Sequence, residues 1–223
     1  MFDLPLSAMS FQSNHPASEL ASPAGLQSWF GGIDIYLFDQ LLKGRFTSSM
    51  RLLDAGCGDG RNLIYFLRSG YEVFAIDNSS AAVAHVRQLA ASLAPHLPTE
   101  NFRIEPVEKM SFAEASFDVV ISSAVLHFAA NEAHFQAMVA EMWRVLKPGG
   151  IFFARLASTI GIENRVQPLG HRRYHLPDGT DRFLVDEVML QRVTDELGGT
   201  FLEPIKTVNV QNLRCMTTWC LRK

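Results

Sequence analysis

Arg51-Leu52-Leu53-Asp54-Ala55-Gly56-Cys57-Gly58-Asp59-Gly60-Arg61 reads as a buried strand, a glycine turn and the start of a helix. Twenty-one residues after Gly56, a second strand running from Tyr71 to Ile76 ends in an acid, Asp77. A helix that opens at a glycine turn is expected to offer free backbone N–H groups and a positive dipole end to something anionic. Glycine suits the turn because a Cβ would block a positive-φ backbone or close approach of a ligand. An acid at the tip of the neighbouring strand is placed to accept hydrogen bonds from ribose hydroxyls. Together these features predict a site for an adenosine-containing cofactor.

The spacing of the turn separates two kinds of cofactor. A dinucleotide fingerprint reads Gly-x-Gly-x-x-Gly, and its third glycine packs helix against strand. Here the glycines fall at 56, 58 and 60, with Asp54 in the strand end. Asp54, and Asp59 inside the turn, would repel a pyrophosphate, whereas Asp54 could pair with an amino or sulfonium group. This Asp-x-Gly-x-Gly-x-Gly pattern resembles motif I of the class I S-adenosylmethionine (SAM)-dependent methyltransferases.

With 223 residues, 48% of them hydrophobic, the chain can bury a full core as one domain. A net charge of −3 gives no general attraction to nucleic acid or to an anionic membrane. The longest apolar runs are broken by charge, as by Arg155 within 151–156, so no membrane span is expected. Asp3 and the lack of a basic N-terminal region argue against a secretory signal. Three cysteines without a Cys-x-x-Cys pair suit a reducing cytoplasm and read as small buried hydrophobes. The expectation is a cytoplasmic protein with a small-molecule partner and neither nucleic acid, membrane nor metal.

Residues 1–25 are rich in Ser, Pro and Ala without a sustained period and predict a loose arm; residues 26–223 form the domain. Trp29, Ile33, Tyr36, Leu37 and Leu41 predict one helix over 26–43. Strands are then expected at 52–55, 72–76, 102–104, 117–122 and 151–156, and helices at 62–69, 81–93 and 132–146. That alternation argues for a parallel sheet with helices on both faces. Polar residues 158–183 read as an inserted loop serving as a substrate lid. A helix over 185–197 and two runs, 201–210 and 213–221, close the chain as an edge hairpin.

Over nearly all of residues 50–222 this order is similar to the class I methyltransferase fold. The resemblance implies an α/β, Rossmann-like, seven-stranded mostly parallel sheet whose seventh strand is antiparallel. Phe117-Asp118-Val119-Val120 and Arg144-Val145-Leu146-Lys147-Pro148-Gly149-Gly150 resemble the family around strands four and five. Gly58-Asp59-Gly60-Arg61-Asn62 and Arg214-Cys215-Met216-Thr217-Thr218-Trp219 look most like its small-molecule, tellurite-resistance-type branch.

By that resemblance the cofactor is SAM, held by Asp54, Gly56, Cys57, Gly58, Gly60, Asp77, Asn78, Val107, Glu108 and Ser122. Asp77 binds the ribose or caps the next helix, a role open equally to Asn78, Ser79 and Ser80. The family's acid ahead of the adenine segment is replaced by Pro106, leaving the Val107 N–H and Glu108 for the base. Arg61 either pairs with Asp59 or faces the SAM carboxylate or an anionic substrate. His127, just past strand four, is the candidate general base, or a structural residue. In the lid, Arg172, Arg173 and Tyr174 either clamp an anionic acceptor or form a solvated face. Trp29, Phe30 and Tyr36 close over the cofactor or form the core face of their helix. Two rivals stand beside a SAM-dependent methyltransferase: a nicotinamide oxidoreductase, and a SAM-binding sensor or partner-binding module without turnover.

Overall fold

Leu52 and Leu53 point to opposite faces of one sheet, as do Val119 and Val120, and each face buries its own layer of helices. The structure, a computed structural model, describes residues 22–223; positions 1–21 of the expected arm lie outside the described residues. Two helices come first, α1 (Pro23–Phe30), capped by the Ser22 hydroxyl, and α2 (Ile35–Leu42), capped by Asp34. The single helix expected over 26–43 is thus broken at Gly31 and Gly32. A Cβ on Gly31 would meet Ile64 Cδ1 at 2.4 Å, so the linker lies directly on the third helix, which Ile64 opens.

Strands β1 (Arg51–Ala55), β2 (Glu72–Asp77) and β3 (Phe102–Ile104) alternate with α3 (Ile64–Arg68) and α4 (Ser80–Leu93). Then come β4 (Phe117–Ser123), a 3-10 turn at Leu126–Phe128, α5 (Glu132–Val145) and β5 (Leu146–Ser158). The region expected as a loop contains a three-stranded antiparallel sheet, β6 (Gln167–Gly170), β7 (Arg173–His175) and β8 (Asp181–Phe183). Its strands are too short and too polar for a sequence period to register, and its small core has Ala157, Leu176 and Leu184 buried, with Val166, Tyr174 and Met216 packed against them. Helix α6 (Glu187–Glu196) follows, then β9 (Thr200–Phe201), β10 (Lys206–Val210) and β11 (Arg214–Arg222).

The main sheet runs β10-β11-β5-β4-β1-β2-β3, with β9 paired to β11. Strands β1 to β5 pair with one another in parallel, and β11 is antiparallel to β5, β9 and β10. This is the seven-stranded, mostly parallel sheet with an antiparallel last strand that was expected, with β9 added. Helices α2, α3 and α4 pack on one face and α5 and α6 on the other. The chain leaves β1 for β2 on one side and returns to β4 on the other. Ligand sites in open parallel sheets form at such a switch point, beyond the carboxyl ends of the strands.

Candidate functional site

At that switch point lies a cavity of about 580 Å³. Its first wall is the turn after β1. Gly56 has φ +85°, and a Cβ there would meet Val125 Cγ2 at 2.5 Å, so only glycine lets the turn pass beneath the segment after β4. Around a Cβ on Gly58 nothing lies within 4 Å, which leaves that side of the turn open.

The amides of this turn differ from expectation. Gly56 and Cys57 N–H groups both donate to the Ile76 carbonyl at 2.9 Å, Gly60 N–H to the Cys57 carbonyl, and Arg61 N–H to Asp59 Oδ1. Helix α3 starts only at Ile64, after three further turn residues, so the loop does not open straight into a helix end. A cradle of free amides for a phosphate is therefore not what these residues build. The Gly58 N–H donates to Asp77 Oδ2 at 2.9 Å, and Ser79 N–H donates to Asp77 Oδ1 at 2.9 Å. Two backbone donors thus fix the carboxylate at the cavity rim, each oxygen keeping a lone pair for a ligand. The cap of α4 falls to Ser79, whose hydroxyl accepts from Ala82 N–H.

Asp54 is fully buried in β1, and its Oδ2 has no hydrogen-bond partner. Burial raises its pKa to about 7; the Arg61 charge offsets part of this, and Asp77 and Asp59 add to it. Cys57 lines the cavity, and burial pushes its thiol far above the usual range, so it acts as an apolar surface.

Asn78, Pro106, Val107 and Glu108 form the wall beyond Asp77; Ser123, Ala124, Val125 and Phe128 form the wall beyond β4. Arg61 also lines the cavity, donating to the Gly32 carbonyl at 3.1 Å and to Ser123 Oγ at 3.2 Å, with Asp34 Oδ2 3.9 Å away. It joins the α1–α2 linker to the end of β4, a tie that neither alternative for it anticipated.

Several expected site residues stand elsewhere. Ser122 is fully buried one residue before the wall, where Ser123 takes its place. Gly60 packs under Val86 and Leu89 of α4. His127 lies on the 3-10 turn with its ring against Phe128 and outside the cavity lining; burial, with Arg182 nearby, lowers its pKa to about 4. Arg172 pairs with Asp186, the cap of α6, and Tyr174 packs in the small sheet's own core. None of Arg172, Arg173 and Tyr174 lines the cavity. Phe30 stacks on Tyr65, and Tyr36 lies under Arg155, so both serve packing.

Sequence reasoning missed Asn62, Phe128, His134 and Met138, which all line the cavity. His134 and Met138 are four apart on α5 and so share a face, a signal present in the sequence but indistinguishable from core packing. Among the described residues no group of His, Cys, Asp and Glu is arranged to hold a metal ion. No helix among them is long and apolar enough to cross a membrane.

Residues 53–154 match the sequence profile of the family described as "Methyltransferase domain". This segment is similar to a methyltransferase domain. It runs from within β1 to within β5 and carries every residue that lines the cavity. An uncharacterised methyltransferase of Synechocystis is 32% identical over 106 residues, 48% of this chain and 46% of the relative. The tRNA 5-carboxymethoxyuridine methyltransferase of Escherichia coli K12 is 26% identical over 113 residues, 51% of this chain and 42% of the relative. This chain thus spans under half the length of these curated relatives. The 1,6-didemethyltoxoflavin-N1-methyltransferase of Burkholderia thailandensis, solved with that substrate and S-adenosylhomocysteine, superposes with a TM-score of 0.64. It is 21% identical, covering 100% of this chain and 93% of that one, a likeness of fold. A probable SAM-dependent methyltransferase of Mycolicibacterium smegmatis is 28% identical over 134 residues, 58% of this chain and 48% of the relative, and SAM is the cofactor that its name gives.

The cavity fits that cofactor. Its volume lies in the range of small-molecule sites, the Asp77 carboxylate is held with lone pairs free, and the glycine turn is open at Gly58.

Proposed function

We propose that this chain binds SAM in the switch-point cavity and transfers its methyl group to a small-molecule acceptor. The observation that carries the reading is Asp77, whose two oxygens are fixed by separate backbone amides at the cavity rim. Asp77 would hold the ribose hydroxyls, Gly56 to Gly58 would pass along the methionine end, and the Asp54 carboxylate would complement its positive charge. When bound, SAM supplies a methyl carbon on a sulfonium sulfur; an acceptor lone pair takes the methyl as the sulfur–carbon electron pair returns to sulfur.

The chain's own task is then alignment and exclusion of water. Val125, Phe128 and Met138 supply apolar walls, and the α1–α2 linker is tied against the site by Arg61. With His127 buried outside the wall, the reading assigns it no proton transfer, and acceptors already carrying a nucleophilic lone pair at neutral pH are favoured. A cytoplasmic setting belongs to the same reading. A small acceptor is preferred over nucleic acid because the chain's charge is −3.

Calorimetric titration of ligand-free protein with SAM and with S-adenosylhomocysteine tests it. Micromolar binding of both is expected, weakened at least about tenfold in Asp77→Ala, since a charge-assisted contact to each ribose hydroxyl is lost. Absence of binding by the folded protein would sink the reading. Binding without turnover across thiol, carboxylate, phenol, amine and tRNA acceptors would favour a SAM-sensing module instead.

A further inference from the structure

Sheet order lays out the cavity as a row of loops, after β4, β1, β2 and β3 in turn. A cofactor read onto β1 and β2 leaves the wall beyond β4 to the acceptor. The carboxylates of the lining, Asp59, Asp77 and Glu108, belong to the loops after β1, β2 and β3, whereas Ser123, Ala124, Val125 and Phe128 carry none. The 3-10 turn after β4 buries Leu126 and His127 but leaves Phe128 59% exposed where it lines the cavity.

A cation of the small sheet lies on that ring. Arg182 of β8 and Leu184 just past it point to the same side, and Leu184 is buried with Ala157 of β5. Arg182 is thereby turned toward the 3-10 turn, its Cζ 4.9 Å from the Phe128 ring centroid. Among the described residues its guanidinium donates to the Asp181 carbonyl at 2.9 Å and meets no carboxylate, since the Asp181 side chain pairs with His175 at 2.7 Å. Burial first, and the Arg182 charge second, keep the neighbouring His127 neutral. A guanidinium over an aromatic face retains edge N–H groups for a planar oxyanion.

We propose that the wall beyond β4 selects a planar acceptor bearing a carboxylate, its ring against Phe128 and its charge on Arg182. This names the acceptor class of the methyl-transfer reading above and rests on it. Segment 158–183 then meets the acceptor through β8, not through Arg172, Arg173 and Tyr174. Arg61 also lines the cavity, but its guanidinium is engaged by the Gly32 carbonyl and Ser123, with Asp34 close by. Arg182 and Phe128 set specificity and move no proton.

The test saturates the full chain with S-adenosylhomocysteine and titrates three probes by calorimetry. These are 2-naphthoate, its neutral isostere 2-naphthamide, and decahydro-2-naphthoate, which keeps the carboxylate on a saturated ring. The native protein is expected to bind 2-naphthoate at least about tenfold tighter than the amide and about threefold tighter than the saturated acid. Added salt should shrink the first ratio, because Arg182 is partly exposed. Arg182→Gln should remove most of the carboxylate preference, and Arg182→Lys should keep part of it. Phe128→Leu should remove the preference for the aromatic ring and leave that for the carboxylate; thermal midpoints check that each variant folds. A native protein that binds neither naphthalene probe, or both equally, overturns the proposal. So does an Arg182→Gln variant with the native ratio; a loss of S-adenosylhomocysteine affinity in that same variant would assign the charge to the cofactor instead. An unchanged aromatic preference in Phe128→Leu overturns the role of the ring. Failure of the native protein to bind S-adenosylhomocysteine overturns the methyl-transfer reading itself, and is seen before any probe is added.

Discussion

Asp54 sits in β1 with Leu53 before it and Ala55 after it, fully buried and with Oδ2 unpartnered. Burial raises its pKa to about 7, from 3.8 for a solvated carboxyl. A carboxyl with a raised folded pKa binds its proton more tightly in the folded state. Its effect on stability is therefore neutral below pH 4, where both states are protonated, and turns unfavourable as pH rises from about 4 to 7. Above pH 7 the penalty is constant. Asp54→Asn should accordingly raise the thermal midpoint of the ligand-free protein at pH 8 and leave it unchanged at pH 4. Equal gains at both pH values would show that Asp54 is not the titrating group. Asp77 was legible in the sequence as a cavity residue because it ends a strand beside a turn, where residue type and position both carry meaning. His134 was not, since a histidine on an amphipathic helix has the same sequence signature whether its face meets a cavity or a core.

Helices α1 and α2 illustrate the limits of periodicity at the scale of elements. Apolar spacing ran continuously through Gly31 and Gly32, yet the chain breaks there, and Asp34 starts a new helix by accepting from Tyr36 N–H at 2.9 Å. What fixes the break is distant in sequence. Arg155 Nη1 of β5 donates to Asp34 Oδ2 at 2.6 Å, and Asn62 Oδ1 accepts from Asp34 N–H at 2.9 Å. The small sheet of 167–183 is a similar case, held by short pairings that follow from the turn at His171 and Arg172, both at positive φ. Asp34 is buried, so removing its charge leaves Arg155 without a partner beside Tyr36. Asp34→Ala is expected to cost about 3–5 kcal/mol in urea unfolding and to speed proteolytic nicking between residues 31 and 49. A loss under about 1 kcal/mol with unchanged nicking would show that the clasp contributes little.

For the whole molecule, strand order and the position of the cavity were legible because a parallel sheet writes itself as alternating apolar runs and helices, with turns between. How the two faces share the burden was not, since residue contacts across the sheet leave no local period. Trp219 of β11 is fully buried on the face covered by α5 and α6. Its indole N–H donates to Thr194 Oγ1 of α6 at 3.0 Å, and its ring meets Phe152 edge-on at 5.4 Å. It therefore couples the antiparallel strand to α6 at a point outside the cavity wall. Trp219→Phe removes that hydrogen bond and leaves a void the size of the missing ring, while Thr194 keeps its bond to the Leu190 carbonyl. The expected cost is about 2–4 kcal/mol in urea unfolding, with S-adenosylhomocysteine affinity within about twofold of native. Binding that fell in step with stability would mean that the two faces are coupled through the sheet, and that the cavity depends on the hairpin at its far edge.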